Sequence, residues 1–344
     1  MQKTYTDSVS DIQVTVWCLA YNHEKYIRKT LEGFVSQKTN FKYEVLVHDD
    51  ASTDRTAEII REYEAKYPDI IKPIYQTENQ HSKGLKLADN FLRPNAKGKY
   101  IAFCEGDDYW CDPEKLQKQY DIMEKNPDVI LCVHKVECIN EDGSPNSQVF
   151  PADACGLRSD TLFTQEQFAD FLFLKADYPF HTSSYFHRRE LWESELNQKL
   201  TTLLNGDQRI LRSALDCGNV YYIDKAMSKR RMQSIGNWSQ RFDALPDEKK
   251  LEHVKKKMMG DVLVDRYTER KYHRQITQKF YDRLISMTVQ FGKDKTTKAF
   301  KEVRKEYRLS EVHSVKLILK YMLVRISPGL FTGLFNLKKR ISKG

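Results

Sequence analysis

Residues 101–112, Ile-Ala-Phe-Cys-Glu105-Gly106-Asp107-Asp108-Tyr109-Trp110-Cys-Asp112, carry the strongest chemical signal in the chain. An apolar run that reads as a buried strand stops abruptly at Glu105, Asp107 and Asp108. Hard divalent cations such as Mg²⁺ or Mn²⁺ prefer oxygen ligands, and Mg²⁺ usually takes one or two carboxylates together with phosphate oxygens. In an open α/β sheet, ligands bind beyond the carboxyl ends of the strands. A solvated acidic turn would read the same way over these residues alone. The positions that share an edge with them must separate the two.

Those positions follow from the rhythm of the flanking elements. From Ile12 to about Pro127 the pattern alternates strand and helix. Ile12–Leu19 and Tyr43–His48 read as strands, and His23–Gln37 carries helical spacing through Ile27, Leu31 and Phe34. Asp54 is placed to cap a helix that buries Ile59, Ile60 and Tyr63. Ile70–Tyr75 and Tyr100–Cys104 are further strands, Leu85–Leu92 is a short helix, and Pro113 suits the first turn of the next helix. Repeated βα units predict an α/β fold with a mainly parallel twisted sheet flanked by helices. After a strand at Val129–Ile139 the stretch to about Asp160 is rich in turn signals. Helical spacing returns at Thr164–Leu174 and Gly206–Asp216, with strands expected at Thr182–His187 and Asn219–Ile223. Beyond Leu245 only charged helices are expected. The organisation read from this is a catalytic domain over 1–242, with halves at about 10–127 and 128–242, then a helical region over 243–344.

Composition narrows the classes. The 344 residues suit two domains or one with an extension, and the net charge of +8 favours anionic partners. No run of Lys and Arg interleaved with aromatics points to nucleic acid. Seven cysteines are scattered without a Cys-x-x-Cys pair, which argues against zinc and for reduced thiols used as small core residues. No signal-peptide stretch or apolar run of about 18 residues is present, so a cytoplasmic protein is expected.

Three strand ends fall on one edge. Ala20-Tyr21-Asn22 follow the first strand, and Asp49-Asp50-Ala51-Ser52-Thr53-Asp54 follow the second. A carboxylate there can accept from a base N–H or ribose hydroxyls, and Tyr21 can pack on a base; a turn and a helix cap are the plainer reading of Asp49 and Asp50. No Gly-x-Gly-x-x-Gly follows the first strand and no phosphate loop of the Gly-x-x-x-x-Gly-Lys-Ser/Thr kind occurs. Bound phosphate would therefore need a cation at the acidic cluster.

The runs Ala20-Tyr21-Asn22-His23, Glu44-Val-Leu-Val-His-Asp49-Asp50-Ala-Ser-Thr-Asp54 and Gly98-Lys-Tyr-Ile-Ala-Phe-Cys-Glu105-Gly-Asp107-Asp108-Tyr-Trp110 resemble family 2 glycosyltransferases of the A-type (GT-A) fold. The similarity continues more loosely to about Ser239. It implies a nucleotide-diphospho-sugar donor, a divalent Mn²⁺ or Mg²⁺, and transfer to a hydroxyl with inversion. By resemblance, Ala20, Tyr21, Asn22, Asp49 and Asp50 face the donor nucleotide, with an acidic residue of the Asp-Asp-x-Ser element reading the nucleoside. Glu105-Gly-Asp107 matches the Asp-x-Asp element that binds diphosphate through the metal, with Asp107 the primary ligand and Asp108 beside it. Glu105 stands where the family has Asp, and its longer arm suits ribose or a metal-bound water. Gly206-Asp207 matches the family's general base, although an Asp at a helix start is also a common cap. His181, Thr182 and Ser183, with Trp110, resemble the segments flanking the acceptor site. Arg230 and Arg231, ahead of Ser234-Ile-Gly236-Asn237-Trp238-Ser239, resemble the loop that closes over the donor diphosphate, where relatives often carry a His in place of Met232-Gln233.

After Glu311 there is no acidic residue. Val315–Ile326 mixes bulky apolar residues with Lys316, Lys320 and Arg325, and Lys338-Lys339-Arg340 follow beyond Ser327-Pro328-Gly329. An interfacial segment over 313–340 that rests on anionic lipid fits this pattern, as does an amphipathic helix docked on the domain or on a second copy. The resulting expectation is a transferase that moves a sugar to a glycan or lipid-linked acceptor in surface polysaccharide synthesis, peripheral on the inner face of the cytoplasmic membrane. A metal-dependent sugar nucleotidyltransferase and a non-catalytic nucleotide-sugar-binding protein are the alternatives, and homo-oligomerisation stays open.

Overall fold

The computed structural model describes residues 11–176, 178–232 and 242–327. The chain divides into two compact units. The first holds residues 1–165, 178–194 and 217–235, and the second holds 166–177, 195–216 and 236–344. The break therefore does not fall only near residue 242. The helix Gly206–Cys217, which carries Asp207, groups with the C-terminal helices.

The first unit is built on one sheet. Its strands are β1 (Ile12–Ala20), β2 (Lys42–Asp49), β3 (Ile71–Tyr75), β4 (Tyr100–Phe103), β5 (Tyr109–Trp110), β6 (Val129–Ile139), β7 (Pro145–Phe150), β8 (Thr161–Phe163), β9 (Phe186–Arg188) and β10 (Asn219–Arg231). The sheet order is β3-β2-β1-β4-β9-β6-β10-β5, with β7 on β6 and β8 on β10. The expected parallel arrangement holds for β3-β2-β1-β4 and for β6 beside β10. It is broken by β9, which lies antiparallel to both β4 and β6, so the whole sheet is mixed.

Helices α1 (Ile27–Val35), α2 (Thr56–Lys66) and α3 (Lys115–Lys125) share a core with one face of this sheet. Val14, Val16 and Cys18 alternate along β1 and join Ile27, Leu31 and Phe34 of α1 in that core, as period two against period 3.6 requires. On the opposite face Trp17 meets Phe103 and Trp192 edge-on at 5.2 and 5.0 Å. Gly98 lets the chain pass close to β1: a Cβ there would lie 2.3 Å from the Thr15 nitrogen.

Some segments differ from the sequence reading. The strand expected over Asn219–Ile223 continues to Arg231, with register shifts at Ile223/Ala226 and Ala226/Ser228. Part of the turn-rich stretch after Ile139 forms β7. Thr182–Ser184 is a 3₁₀ turn that precedes the three-residue β9.

The second unit is helical, with Gly206–Cys217, Asp247–Tyr267, His273–Phe291, Lys293–Ala299 and Val315–Ile326 as its α-helices of seven residues or more among the described residues. Asp261 is buried and accepts from Arg212 Nε at 2.7 Å and from Arg283, so three elements are tied through one satisfied carboxylate. The desolvation of such buried charges opposes their attraction, so the group is weak evidence of added stability. Among the described residues no helix is long and apolar enough to cross a membrane.

Candidate active site

The loops after β1 and β2 are laced together. Asp50 N–H donates to Ala20 O at 3.0 Å, and Asn22 N–H to Ser52 Oγ at 2.9 Å. Asn22 Oδ1 in return accepts from Thr53 N–H at 2.8 Å. Asp54 sits one residue before the cap position, which is Arg55; its Oδ1 accepts from Thr56 N–H at 2.9 Å, while Oδ2 accepts from Glu24 N–H at 3.0 Å. Asn22 and Ala51 hold positive φ values of 56° and 60°, a region non-glycine residues seldom adopt and one that tends to mark functional turns. Tyr21 stands out of this platform, 44% exposed.

Asp49 and Asp50 are buried, and their carboxylates face protein donors. Asp49 accepts from the Ser52 hydroxyl at 2.5 Å and Ser52 N–H at 3.3 Å. Asp50 accepts from Gln80 N–H at 2.8 Å and His81 N–H at 3.0 Å, so it anchors the loop that follows β3. The sequence reading missed this second partner. An acidic residue is visible in the sequence; the return of two amides from the next βα unit is not.

At the end of β4 the chain turns sharply. Gly106 N–H donates to Leu19 O at 2.9 Å, and a Cβ at Gly106 would lie 2.7 Å from His23 Nδ1. Thr30 Oγ1 lies 3.0 Å from the Gly106 carbonyl oxygen and 2.5 Å from that of Asp108. This turn gathers Glu105, Asp107 and Asp108, whose carboxylate oxygens can all lie within 4.8 Å of one another. Glu105 is exposed, Asp107 half-buried and Asp108 buried. Burial, then the charges of Asp107 and Glu105, push Asp108 well above the usual carboxylate range, against the Arg231 amide and the Arg230 charge that pull it down. Oxygen-only donors crowded against their own repulsion fit a hard divalent cation.

Arg231 clamps this turn from β10. Its N–H donates to Asp108 Oδ1 at 2.7 Å, and its guanidinium donates to Asp107 O at 3.3 Å and Glu141 O at 2.6 Å while lying 4.6 Å from the Tyr26 ring centre. Arg230, one residue earlier in β10, lies 5.1 Å from the Phe150 ring centre. Both residues therefore belong to a strand, not to a mobile loop; the Ser234–Ser239 part of that reading lies outside the described residues.

His181 joins the same turn from the 3₁₀ segment, with Nδ1 3.7 Å from Asp108 Oδ2 and 3.0 Å from Ser183 Oγ. Ser183 Oγ bonds Ser228 Oγ of β10 at 2.9 Å, and Trp110 Nε1–H donates to Ser183 O at 3.1 Å. Thr182 is half-buried, whereas His181, Ser183 and Trp110 are buried. Trp110 in particular is a core residue, packed on Phe34 and 3% exposed, so it supports the turn from below instead of presenting a face to an acceptor. Beside it Lys115 is fully buried, its ammonium 4.1 Å from the Trp110 ring centre, and burial brings it down to about 7.

Asp207 stands in the second unit. It is half-buried in the first turn of Gly206–Cys217, whose Arg209 N–H bonds Asn205 O at 2.9 Å. Asn205 thus occupies the cap position and Asp207 lies within the helix. Its charge acts on His253, whose ring burial and Lys257 otherwise hold below the ordinary histidine range.

A mixed α/β sheet with polar loops at the ends of β1 and β2 and a carboxylate cluster at the end of β4 puts a candidate ligand site at the carboxyl edge of its strands. Comparison with solved structures agrees on the fold. Staphylococcus aureus TarS residues 1–349, in complex with UDP-GlcNAc, superposes with a TM-score of 0.57 at 17% identity, covering 88% of this chain and 93% of that one. GalNAc-T7 with UDP, GalNAc and Mn²⁺ gives a TM-score of 0.52 at 13% identity, covering 92% of this chain and 58% of that one. Residues 15–193 match the sequence model of Glycosyl transferase family 2, and the chain belongs to that family. An uncharacterized protein of Mycobacterium tuberculosis is 43% identical over 140 residues, 40% of this chain and 39% of its own length. A poly(ribitol-phosphate) beta-glucosyltransferase of Bacillus spizizenii is 31% identical over 137 residues, 40% of this chain and 21% of its own length. The match thus spans about two fifths of the mycobacterial relative's length.

Proposed function

We propose that the protein transfers a sugar from a nucleotide-diphospho-sugar to a hydroxyl of a glycan or lipid-linked acceptor, with inversion, in surface polysaccharide synthesis. The observation that carries this reading is the crowding of Glu105, Asp107 and Asp108 at the end of β4, beside the loops after β1 and β2. Asp107 and Asp108 would hold Mn²⁺ or Mg²⁺, with Glu105 nearer to ribose or a metal-bound water. When bound, such an ion supplies Lewis-acid stabilisation of charge on the leaving diphosphate.

The chain's own residues supply the rest. Exposed Tyr21 packs on the base, and Ala20, Asn22, Asp49 and Asp50 build the floor on which the nucleoside rests. Arg230 adds positive charge near the diphosphate, and Arg231 holds the turn that carries the carboxylates. Asp207 takes the proton from the acceptor hydroxyl as that oxygen bonds to the anomeric carbon. The carbon's bond to the diphosphate oxygen breaks at the same time, and its electron pair leaves with the nucleoside diphosphate. Binding and orientation by Tyr21 and the floor residues then limit the reaction to one face of the sugar. A peripheral place on a membrane, reached through the basic C-terminal segment, would bring the protein to a lipid-linked acceptor.

Asp207→Asn tests the reading. It should reduce transfer by about 10²–10⁴-fold, the usual contribution of a general base. Donor affinity, measured by thermal shift across a nucleotide-sugar panel with Mn²⁺, should stay within about twofold. Near-normal turnover would remove Asp207 from the mechanism, and loss of donor binding would give it a different role.

A further inference from the structure

The helix Val315–Ile326 has two apolar stripes, and only one of them is covered. Leu317, Tyr321 and Val324 are buried, and Tyr321 meets Tyr281 of His273–Phe291 edge-on at 5.0 Å. Val315, Leu319, Met322 and Ile326 repeat at the same helical spacing on the other side and are 69, 61, 46 and 82% exposed. The remaining large hydrophobics exposed among the described residues (Tyr21, Leu85, Leu162, Leu174 and Leu245) are scattered singly, which is ordinary for a protein surface. Four on one helix face mark an interaction surface.

We propose that this outer stripe lies in the headgroup boundary of an anionic lipid bilayer. The inference rests on the peripheral membrane place proposed above and gives it a face and a lipid chemistry. Charge selects the occupant. Lys316 and Lys320 are exposed beside the stripe and Arg325 is half-buried. From residue 312 to residue 344 the sequence contains no Asp or Glu, and Lys338, Lys339 and Arg340 extend the positive run. An apolar stripe bordered by lysines suits acyl chains below and phosphate headgroups above, because lysine stems lie along apolar surface while their ammonium groups reach the phosphates. A second copy docked on the stripe would add its own uncompensated positive charge to that already there. The chain's own residues 328–344 are basic as well, so folding them over the stripe would set cation against cation.

Flotation of the full chain with vesicles tests the proposal. Phosphatidylcholine vesicles containing phosphatidylglycerol should carry the protein, and pure phosphatidylcholine should carry at least about tenfold less, with binding falling as salt rises. Two variants separate the contributions. Leu319→Ser with Met322→Ser removes apolar area, and Lys316→Ser with Lys320→Ser removes charge; each should lower binding by roughly tenfold or more. Neither should alter the melting temperature or donor binding to the first unit. Equal binding by parent and variants, or equal binding to both vesicle types, overturns the proposal. A concentration-dependent dimer abolished by the Leu319/Met322 variant assigns the stripe to a second copy and overturns it too. Lipid binding that fails while Asp207-dependent transfer persists leaves the enzymatic reading intact, and the reverse outcome separates the two in the other direction.

Discussion

Two acidic groups at one sheet edge are built in opposite ways. At the end of β2, Asp49 and Asp50 meet hydrogen-bond donors from the protein: Ser52 on one side, the Gln80 and His81 amides on the other. At the end of β4, Glu105, Asp107 and Asp108 are turned toward one another, and burial with their mutual charge drives Asp108 toward protonation. A carboxylate surrounded by amide donors orders a loop. Carboxylates crowded within 4.8 Å carry an electrostatic cost that a cation would offset. The same residue type thus supplies scaffold at one strand end and a candidate cation site at the next.

The sharpest way to break this contrast is Asp107→Asn. Removing the half-buried member of the trio should lower sugar transfer by about a thousandfold, the scale of losing a principal electrostatic contact to a leaving group. Since Asp107 is only partly buried and the turn is held by Gly106 N–H, Thr30 and Arg231, the fold should melt within a few degrees of the parent. Mn²⁺ affinity, followed by the ion's paramagnetic relaxation of water, should fall in parallel. Unchanged Mn²⁺ binding would remove Asp107 from the cation site.

Asp50→Ala probes the other side. It strips the acceptor from two amides at once, and bonds to charged groups contribute about 1.5–3 kcal/mol each, so a loss of stability of roughly 3 kcal/mol or more is expected. Hydrogen exchange at the Gln80 and His81 amides should accelerate, and donor affinity should weaken by a similar factor whichever base the nucleotide carries. A change in base preference with no change in exchange would show that Asp50 reads the nucleoside directly.

The contrast also marks how far the sequence could be read. The βα alternation from Ile12 to Phe103 was legible because period-two and 3.6-residue patterns are strong there, and the three strand ends fall on one edge as that rhythm requires. Family membership was legible from the three motif runs, and the comparison finds the same family. What was hidden depends on partners distant in sequence. The extension of β10 to Arg231 is masked by Asp224, Lys225 and Lys229, which break the apolar pattern while the backbone keeps pairing with β6. The Arg231 amide meets Asp108 across more than a hundred residues of chain, and no local spacing announces it. The strand expected at Thr182–His187 shrinks to β9, and its antiparallel direction is set by pairing with β4 and β6, which no local periodicity shows. The grouping of Gly206–Cys217 with the C-terminal helices rests on buried contacts such as Arg212 with Asp261.

The smallest expected effect lies just beyond the acidic turn, at Asp112, and it refines what a satisfied carboxylate does. Burial pushes this group up, yet Lys225 at 2.7 Å, the Glu114 amide at 2.9 Å and Lys118 at 3.0 Å together bring it down to about 2. Its folded value lies below the ordinary value of about 3.9 in an unfolded chain. The unfolded state therefore binds the proton more readily, so the stabilisation is present above about pH 4 and is lost as pH falls from there through about 2. Lys225 is 55% exposed, and solvent screens its share, so roughly 1 kcal/mol is expected. Asp112→Asn should melt slightly lower than the parent at neutral pH and should flatten the parent's extra loss between pH 4 and pH 2. Parallel melting curves across that range would mean that the two lysines serve the turn through packing and not through charge. Asp112 would then fall outside the class that Asp50 represents.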